Sequence, residues 1–163
     1  MILSGQSIRA RCLHKPLGNL NADDLPMIAP FHERSREHGM TYGVGPAGYD
    51  VRIDENYIIP AGGFVLAATV EKFAMPNDIL ATVHDKSTWA RLGLACQTTV
   101  IEPGWRGHLT IELTNHSQIT LPIQAGCPIV QIIFHVLDRE TNMAYAGKYQ
   151  DQKAGPQEAI IEQ

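Results

Sequence analysis

The chain has 163 residues, of which 44% are hydrophobic and 18% charged, and its formal net charge is −4. This length fits one globular domain that can bury a core without disulfides or structural metal ions. The charge and a pI near 5.9 argue against broad electrostatic capture of nucleic acid or of an anionic membrane, although one small phosphorylated ligand needs only a local cluster of donors.

The spacing of the cysteines and the length of the apolar runs indicate the cellular compartment in which the protein resides. Cys12, Cys96 and Cys127 are few and widely separated, which is typical of free thiols in a reducing compartment. The first residues include no long apolar segment, and no run approaches the length of a membrane helix. We therefore expect neither a signal peptide nor a membrane span, and a cytoplasmic location.

The first third of the chain predicts little regular structure. Residues 7–12 are expected to form one helical turn or slightly more, with Ser7 as its cap. Residues 15–47 are rich in proline, glycine and charge and are expected to be irregular.

From Tyr49 onward, short apolar runs punctuated by proline and glycine predict strands. One stretch, residues 86–92, has helical composition behind a cap at Asp85 or Ser87. Residues 154–163 are expected to be a mobile tail. The sequence thus predicts an all-β protein with one short helix. The predicted strands cover residues 49–53, 64–73, 79–83, 96–101, 109–115 and 129–136.

The clearest alternation runs over residues 108–114. It places Leu109, Ile111 and Leu113 on one strand face and Thr110, Glu112 and Thr114 on the other. Glu112 could serve as a general base if burial raised its pKa, and Glu102 precedes it by ten residues across a Pro-Gly turn. A solvent-facing glutamate on a half-exposed sheet is the ordinary alternative, which spacing alone favours.

Three other polar groups are candidates for binding. Ser87 and Arg91 lie four residues apart on one helix face, near backbone N–H groups, Lys86 and Thr88, and could bind an anion. A capped surface helix is the alternative. Gln131 fits a ligand contact or a buried hydrogen-bonding residue equally well. Residues 147–153 could fold over a bound ligand or form a polar tail.

Two familiar sites are not expected. A zinc-dependent nucleobase deaminase needs His-x-Glu and a downstream Pro-Cys-x-x-Cys, whereas Cys96 and Cys127 stand alone here. Residues 43–48 match Gly-x-Gly-x-x-Gly, but they lead into a strand, and a dinucleotide fingerprint must open a helix. The sequence predicts neither a zinc site nor a dinucleotide site.

Six segments taken together resemble the dCTP deaminase branch of the dCTP deaminase/dUTPase superfamily. The resemblance runs from Met1 to Gln157, and the order and joint occurrence of the segments make it specific. It implies one domain over residues 1–163, a distorted jelly-roll-like β-barrel, a homotrimer with active sites at subunit interfaces, and a flexible C-terminal lid over about residues 145–163. The segments are 47–52, 86–94, 101–107, 110–115, 126–134 and 147–153.

The resemblance also implies a reaction and the residues that would carry it out. The family deaminates dCTP to dUTP and ammonia without zinc, with Mg²⁺ bound through the triphosphate, and its members often sense dTTP as an inhibitor. By motif, Glu112 would be the general acid and base, while Ser87 and Arg91 would position and polarise the attacking water. The implied substrate contacts are Lys86, Ser87, Thr88, Thr99, Val100, Glu102, Gln131, Tyr145, Lys148, Tyr149 and Gln152.

Alternatives remain within and outside this enzyme class. Glu102 falls where dUTPases have an aspartate that orients water for attack on the α-phosphate, so a dUTPase or a bifunctional, dUMP-forming enzyme is the second hypothesis. The position of Glu112 is not normally acidic in dUTPases, and their glycine-rich C-terminal motif is missing, which favours deamination. Residues 95–101 are shorter than in typical dCTP deaminases, so a modified or monophosphate cytosine nucleotide stays open. A non-catalytic nucleotide-binding protein is the third hypothesis.

Overall fold

The computed structural model describes residues 1–13 and 25–162. Those residues form two helices and twelve strands. The helices are α1 (Gly5–Leu13) and α2 (Ser87–Ala90). The strands are β1 (Ile28–Ala29), β2 (Ser35–Glu37), β3 (Met40–Val44), β4 (Tyr49–Arg52), β5 (Tyr57–Ile59), β6 (Phe64–Ala74), β7 (Ile79–Asp85), β8 (Leu94–Cys96), β9 (Val100–Ile101), β10 (Arg106–Asn115), β11 (Leu121–Ile123) and β12 (Pro128–Val136).

The described strands pair antiparallel in three sheets. One has the order β2-β3-β4-β12-β7-β9, a second β1-β6-β10-β8, and β11 pairs with β5. Side chains from the two larger sheets meet in a single hydrophobic core, with Tyr49, Phe134 and Phe73 among its largest fully buried members. The all-β prediction is confirmed.

Two helices are present where the sequence predicted one short helix and one helical turn. The first begins at Gly5 rather than Ser7, because Ser4 supplies the cap: its hydroxyl accepts a hydrogen bond from Ser7 N at 3.4 Å and its carbonyl one from Ile8 N at 3.0 Å. The second helix is shorter than expected. Its N-cap is Lys86, which makes no side-chain capping bond, so the predicted cap at Asp85 or Ser87 is wrong.

The region expected to be irregular contains three short strands. β2 and β3 form a hairpin that turns through His38 and Gly39, both at positive φ, and β1 adds to the edge of β6. β1 and β2 are only two and three residues long, too short for a repeating apolar pattern to predict them. β3 does alternate, through Met40, Tyr42 and Val44, but it lies in a stretch whose glycine and charge content predicted irregular structure. β5 and β11 have three residues each and were missed because they are so short. Part of the expected irregular region, residues 15–24, lies outside the described residues.

The predicted strand over 96–101 is two strands in different sheets. β8 pairs with β10, whereas β9 pairs with β7. Residues 97–99 connect them, with Gln97 N donating to Glu112 O at 3.0 Å and Val83 N donating to Thr99 O at 3.1 Å. The connection brings the backbone beside Glu112, where a ligand could use it.

The state of the cysteines and the character of the helices bear on two further predictions. The three cysteines are free, as expected, and burial raises the pKa of the Cys127 thiol to about 11. Within residues 1–13 and 25–162, neither helix has the length and apolar character that crossing a membrane requires.

Candidate active site

A cavity with a volume of ≈ 510 Å³ surrounds Glu112, and we call it the Glu112 cavity. Strands β6 and β10 form its floor, the connection between the two sheets forms one wall, and the C-terminal segment, residues 145–162, closes another. Its lining residues are Phe64, Leu66, Thr99, Val100, Ile101, Glu102, Trp105, Leu109, Thr110, Glu112, Tyr145, Tyr149, Gln152, Gln157 and Ala159.

Glu112 occupies the middle of the cavity floor. Its backbone pairs with Leu66 across β6 and β10, and the alternation predicted for this strand places its side chain on the half-buried face. Its Oε2 atom is buried and has no hydrogen-bond partner among the described residues. Desolvation by burial raises the pKa of this carboxyl above its usual value. A raised pKa makes a carboxylate a stronger base, so it accepts a proton more readily and can return that proton later in a reaction.

The walls of the Glu112 cavity are mostly apolar. Phe64, Leu66 and Leu109 contribute apolar surface from β6 and β10, and Phe64 is 60% exposed. No lysine or arginine is found among the described lining residues, whereas Glu102 adds a second carboxylate. The cavity therefore suits a planar, largely uncharged ring better than a polyphosphate.

A second cavity of ≈ 260 Å³ lies beside the start of α2, and we call it the Lys86 cavity. Lys86 is only 8% exposed, and its ammonium donates to Asp50 Oδ2 at 2.7 Å. Gln131 Nε2 donates to the other oxygen of Asp50 at 3.2 Å. Asp50 thus already neutralises the Lys86 charge, and the exposed Arg34 is the other cationic residue among the described residues that line this cavity. The lining residues are Arg34, Thr41, Tyr42, Gly43, Val44, Gly45, Pro46, Asp50, Asp85, Lys86, Ser87 and Gln131.

The α2 helix is fixed to the barrel by its aromatic residue. Trp89 is buried, and its indole N–H donates to Pro128 O at 2.8 Å. Ser87 and Thr88 are exposed. Arg91 is the C-cap, and its guanidinium donates to Ser87 O at 3.2 Å, so the two residues lie together as their spacing predicted. None of these three exposed residues is among the described residues that line the Glu112 cavity.

The C-terminal segment packs along the first half of β10. Trp105 Nε1 donates to Tyr149 O at 2.7 Å, and His108 N donates to Gln152 O at 3.0 Å. Between them, the Gln150 side chain accepts from Arg106 N at 2.8 Å and donates to Gly104 O at 2.9 Å. These bonds hold residues 145–152 against the barrel.

Two of the four residues expected to contact the nucleotide from this segment, Lys148 and Tyr149, contact the chain's own tail. The Lys148 ammonium donates to Ile160 O, and Ile160 N donates to the Tyr149 hydroxyl at 3.0 Å. Residues 154–162, expected to be a mobile tail, thus make defined contacts.

The sequence profile of the dCTP deaminase-like family matches residues 49–137, more than half of the chain. The chain belongs to this family. The dCTP deaminases of Campylobacter lari and Nautilia profundicola are each 36% identical to it. The first comparison covers 77% of this chain and 86% of the relative, and the second covers 81% and 89%. The resemblance inferred from the six segments is confirmed.

Solved structures with a similar fold are dUTPases. Native EIAV dUTPase aligns with a TM-score of 0.55 at 20% identity, over 75% of this chain and 98% of that one. The dUTPase of Streptococcus mutans aligns with a TM-score of 0.51 at 24% identity, over 71% and 97%. A mutant dUTPase from S. aureus phage phi11, studied for its coordination of a structural Mg(II) ion, aligns at 0.54 and 15% identity, over 72% and 91%. These likenesses confirm the dUTPase-type β fold.

The family's expected site residues fall into three groups in this chain. Seven line the Glu112 cavity: Thr99, Val100, Glu102, Glu112, Tyr145, Tyr149 and Gln152. Three line the Lys86 cavity: Lys86, Ser87 and Gln131. Thr88, Arg91 and Lys148 line neither of these cavities among the described residues. One chain therefore brings together the expected acid and base with the expected lid, but not with the expected water-positioning pair.

Sequence reasoning assigned no site role to several lining residues. Phe64 and Leu66 reach the cavity because β6 pairs with β10 in a register that no local pattern reveals. Thr110 had a signal, since the alternation already placed it on the face of Glu112. Gln157 lies in the stretch expected to be a mobile tail.

Proposed function

We propose that this protein is a dCTP deaminase that converts dCTP and water to dUTP and ammonia, with Glu112 as general acid and base. The observation that carries the proposal is the Glu112 carboxyl, whose buried Oε2 has no partner among the described residues and whose pKa is raised. Relatives named dCTP deaminases support the choice of substrate.

The proposed reaction needs two proton transfers through the same carboxylate. Glu112 removes a proton from water as the water oxygen attacks C4 of cytosine, and it delivers that proton to N3. It then takes the proton of the new C4 hydroxyl and gives it to the amino group. The C4–N bond breaks, ammonia leaves, and the C4 carbonyl of uracil forms. Ser87 and Arg91 would position the water and stabilise charge in the tetrahedral intermediate.

The charge distribution supports a site shared between subunits. A triphosphate needs cationic groups, yet the described residues that line the Glu112 cavity include none. Lys86, Ser87 and Arg91 lie elsewhere on the same chain. We propose a homotrimer in which the α2 region of one protomer completes the Glu112 cavity of the next, with dTTP as a competing ligand.

Magnesium would enter with the nucleotide. Mg²⁺ commonly binds through substrate phosphates with few direct protein ligands. The described residues contain no group of three or more His, Cys, Asp or Glu side chains placed to hold a metal ion, and Asp50 is already bonded to Lys86 and Gln131. The ion would neutralise phosphate charge, while the proton transfers stay with Glu112.

The test is a product analysis with dCTP, dUTP and dCMP in turn, followed by Glu112→Gln. We expect wild-type protein to release ammonia and dUTP from dCTP, and Glu112→Gln to lose about 10²–10⁴-fold in rate with nucleotide binding nearly intact, since it removes the general base. The exposed Glu55→Gln variant is the control. Deamination that survives in Glu112→Gln contradicts the assignment, and tight dCTP binding without turnover by wild-type protein supports a non-catalytic role instead.

A bifunctional, dUMP-forming enzyme is the second candidate. The observation that favours it is Glu102, an exposed carboxylate in the same cavity as Glu112. In that case pyrophosphate appears beside ammonia when dCTP is supplied, and Glu102→Ala abolishes pyrophosphate release selectively. If no pyrophosphate appears, the bifunctional candidate is wrong and the product of deamination is dUTP.

A further inference from the structure

We infer that the Thr110 hydroxyl anchors the C-terminal segment over the Glu112 cavity, which makes Thr110 a positioning residue for the reaction. The anchoring is independent of the substrate, whereas its effect on turnover rests on the proposed function.

Thr110 lies on β10 two residues before Glu112 and on the same face of the strand. It is 9% exposed and lines the cavity. Its hydroxyl oxygen accepts two hydrogen bonds, one from the Gln152 side-chain amide and one from Gln157 N at 2.9 Å. One oxygen atom thus holds both ends of the stretch from 152 to 157.

The two halves of the C-terminal segment depend on Thr110 to different extents. Residues 145–152 have further bonds to the barrel through Trp105, Arg106 and His108. For residues 153–162, the bond from Gln157 N to Thr110 is the one hydrogen bond to the barrel among the described residues. The contacts of Ile160 with Lys148 and Tyr149 stay within the segment. Removing the hydroxyl should therefore release the second half selectively.

Release of residues 153–162 would open the cavity. Gln157 and Ala159 line it, so their departure admits water beside Glu112. Water lowers the cost of ionising a carboxylate and weakens electrostatic contacts with the reacting ring. A segment that closes a site must also reopen for product release, and a two-bond anchor suits that requirement.

The first test follows the segment without any substrate. Trypsin cleavage after Lys153, measured by mass spectrometry, reports release because that bond is cut faster when the tail leaves the barrel. We expect Thr110→Val to be cleaved about tenfold faster than wild type, the scale of one or two lost hydrogen bonds. Thr110→Ser, which keeps the hydroxyl, should restore slow cleavage.

Thr114→Val is the matched control. Thr114 lies on the same face of β10, two residues beyond Glu112, and is half-buried, but its hydroxyl makes no hydrogen bond within residues 1–13 and 25–162. Its cleavage rate should equal that of wild type. Equal cleavage of Thr110→Val and wild type overturns the inference, as does a Thr110→Ser variant that behaves like Thr110→Val.

The second test measures turnover. We expect Thr110→Val to lower kcat/KM for dCTP about tenfold and to move the pH profile of kcat to lower pH, because water entry reduces the pKa of Glu112. A role confined to stability would not move the pH profile. Faster cleavage with no change in kinetics would overturn the positioning role. A wild-type protein that does not deaminate dCTP would contradict the proposed function, but it would leave the structural role of Thr110 intact.

A tail variant covers the case in which Thr110→Val fails to fold. Gln157→Pro removes the N–H that bonds Thr110 without altering the barrel. Glu158→Pro is its control, since the Glu158 N–H bonds none of the described residues. Faster cleavage in Gln157→Pro alone supports the anchor, and equal cleavage in both proline variants contradicts it.

Discussion

At the scale of single residues, the burial of the Glu112 carboxyl costs folding free energy and also gives the carboxyl the properties of a general base. Its carboxyl lies against apolar walls, and its Oε2 finds no partner among the described residues. Burial of an unpaired acceptor disfavours the ionised form and stores free energy at the site. Proteins commonly retain such costs where they serve function.

This cost gives a stability prediction for Glu112→Gln. A carboxyl whose pKa is raised by folding contributes stability that is fully present below its unfolded pKa and is lost as pH rises through the folded pKa. Glutamine does not ionise, so the variant should match the wild-type melting temperature at about pH 4 and exceed it at about pH 8. Calorimetry at both pH values checks this. A variant less stable at the higher pH would contradict it, and exposed Glu158→Gln is the control.

The pair formed by Asp50 and Lys86 gives a second prediction. The side chains are 13% and 9% exposed, so removing one partner leaves a nearly buried charge. We expect Asp50→Leu to lower the free energy of unfolding by about 3–5 kcal/mol, and the double variant with Lys86→Met to recover most of that loss. Urea unfolding measures both. Equal stabilities of the single and double variants would show that the pair is well hydrated.

The sequence predicted that Glu112 and Lys86 belong to a site, but it did not predict the contacts that set their charge states. The motif order singled out Glu112, but its raised pKa depends on β6 and on the C-terminal segment, which are distant in sequence. Likewise, Lys86 was expected to meet phosphate, and its bond to Asp50 depends on strands far apart in the chain. Residue type is visible in a sequence, whereas the partners that set its charge state come from tertiary packing.

At the scale of elements, α2 is too short to be stable alone and is held by its contacts. Composition predicted helical structure there, but Asp85 does not cap the helix because its carboxylate accepts a hydrogen bond from Cys96 N at 2.7 Å. The indole of Trp89 fixes the helix to β12 instead. The orientation of Ser87 and Arg91 therefore depends on one side chain beneath them.

Trp89→Phe tests that dependence. The substitution keeps an aromatic ring and removes the bond to Pro128 O, which should lower the free energy of unfolding by about 1 kcal/mol. If α2 positions the attacking water, kcat for dCTP should fall more than affinity for it. Steady-state kinetics and nucleotide titration separate the two effects. A loss confined to stability would mean that α2 keeps its position without the indole bond.

The break between β8 and β9 also belongs to this scale. The composition of residues 96–101 suits a strand throughout, and local preference could not reveal that the two halves enter different sheets. Sheet pairing is decided by long-range contacts rather than by local preference. The crossing matters for the site, because it brings Thr99 and Val100 to the Glu112 cavity.

At the scale of the whole molecule, the all-β class and the family could be predicted, because several motifs occur in a fixed order. The arrangement of the site could not. Seven expected residues meet in one cavity of a single chain, and three meet in another. A sequence reports the members of a site without reporting which chain supplies each member.

Subunit complementation tests whether Glu112 and Arg91 of the same active site come from two different chains. Glu112→Gln and Arg91→Ala chains should each be inactive alone, but unfolding and refolding them together at equal amounts should restore about a quarter of wild-type activity, since random assembly pairs two intact halves in that fraction of interfaces. Mixing without subunit exchange is the control. No recovery after exchange, with trimers formed, would place both residues in the site of one chain.

The absence of cations among the described residues lining the Glu112 cavity has a consequence for enzyme abundance. If neighbouring chains supply the missing charge, turnover per chain depends on protein concentration, and dilution inactivates the enzyme without unfolding it. A nucleotide that bridges two chains would oppose this dissociation. Substrate supply would then set the amount of assembled enzyme as well as its rate, coupling the size of the cytosine nucleotide pool to the capacity that consumes it.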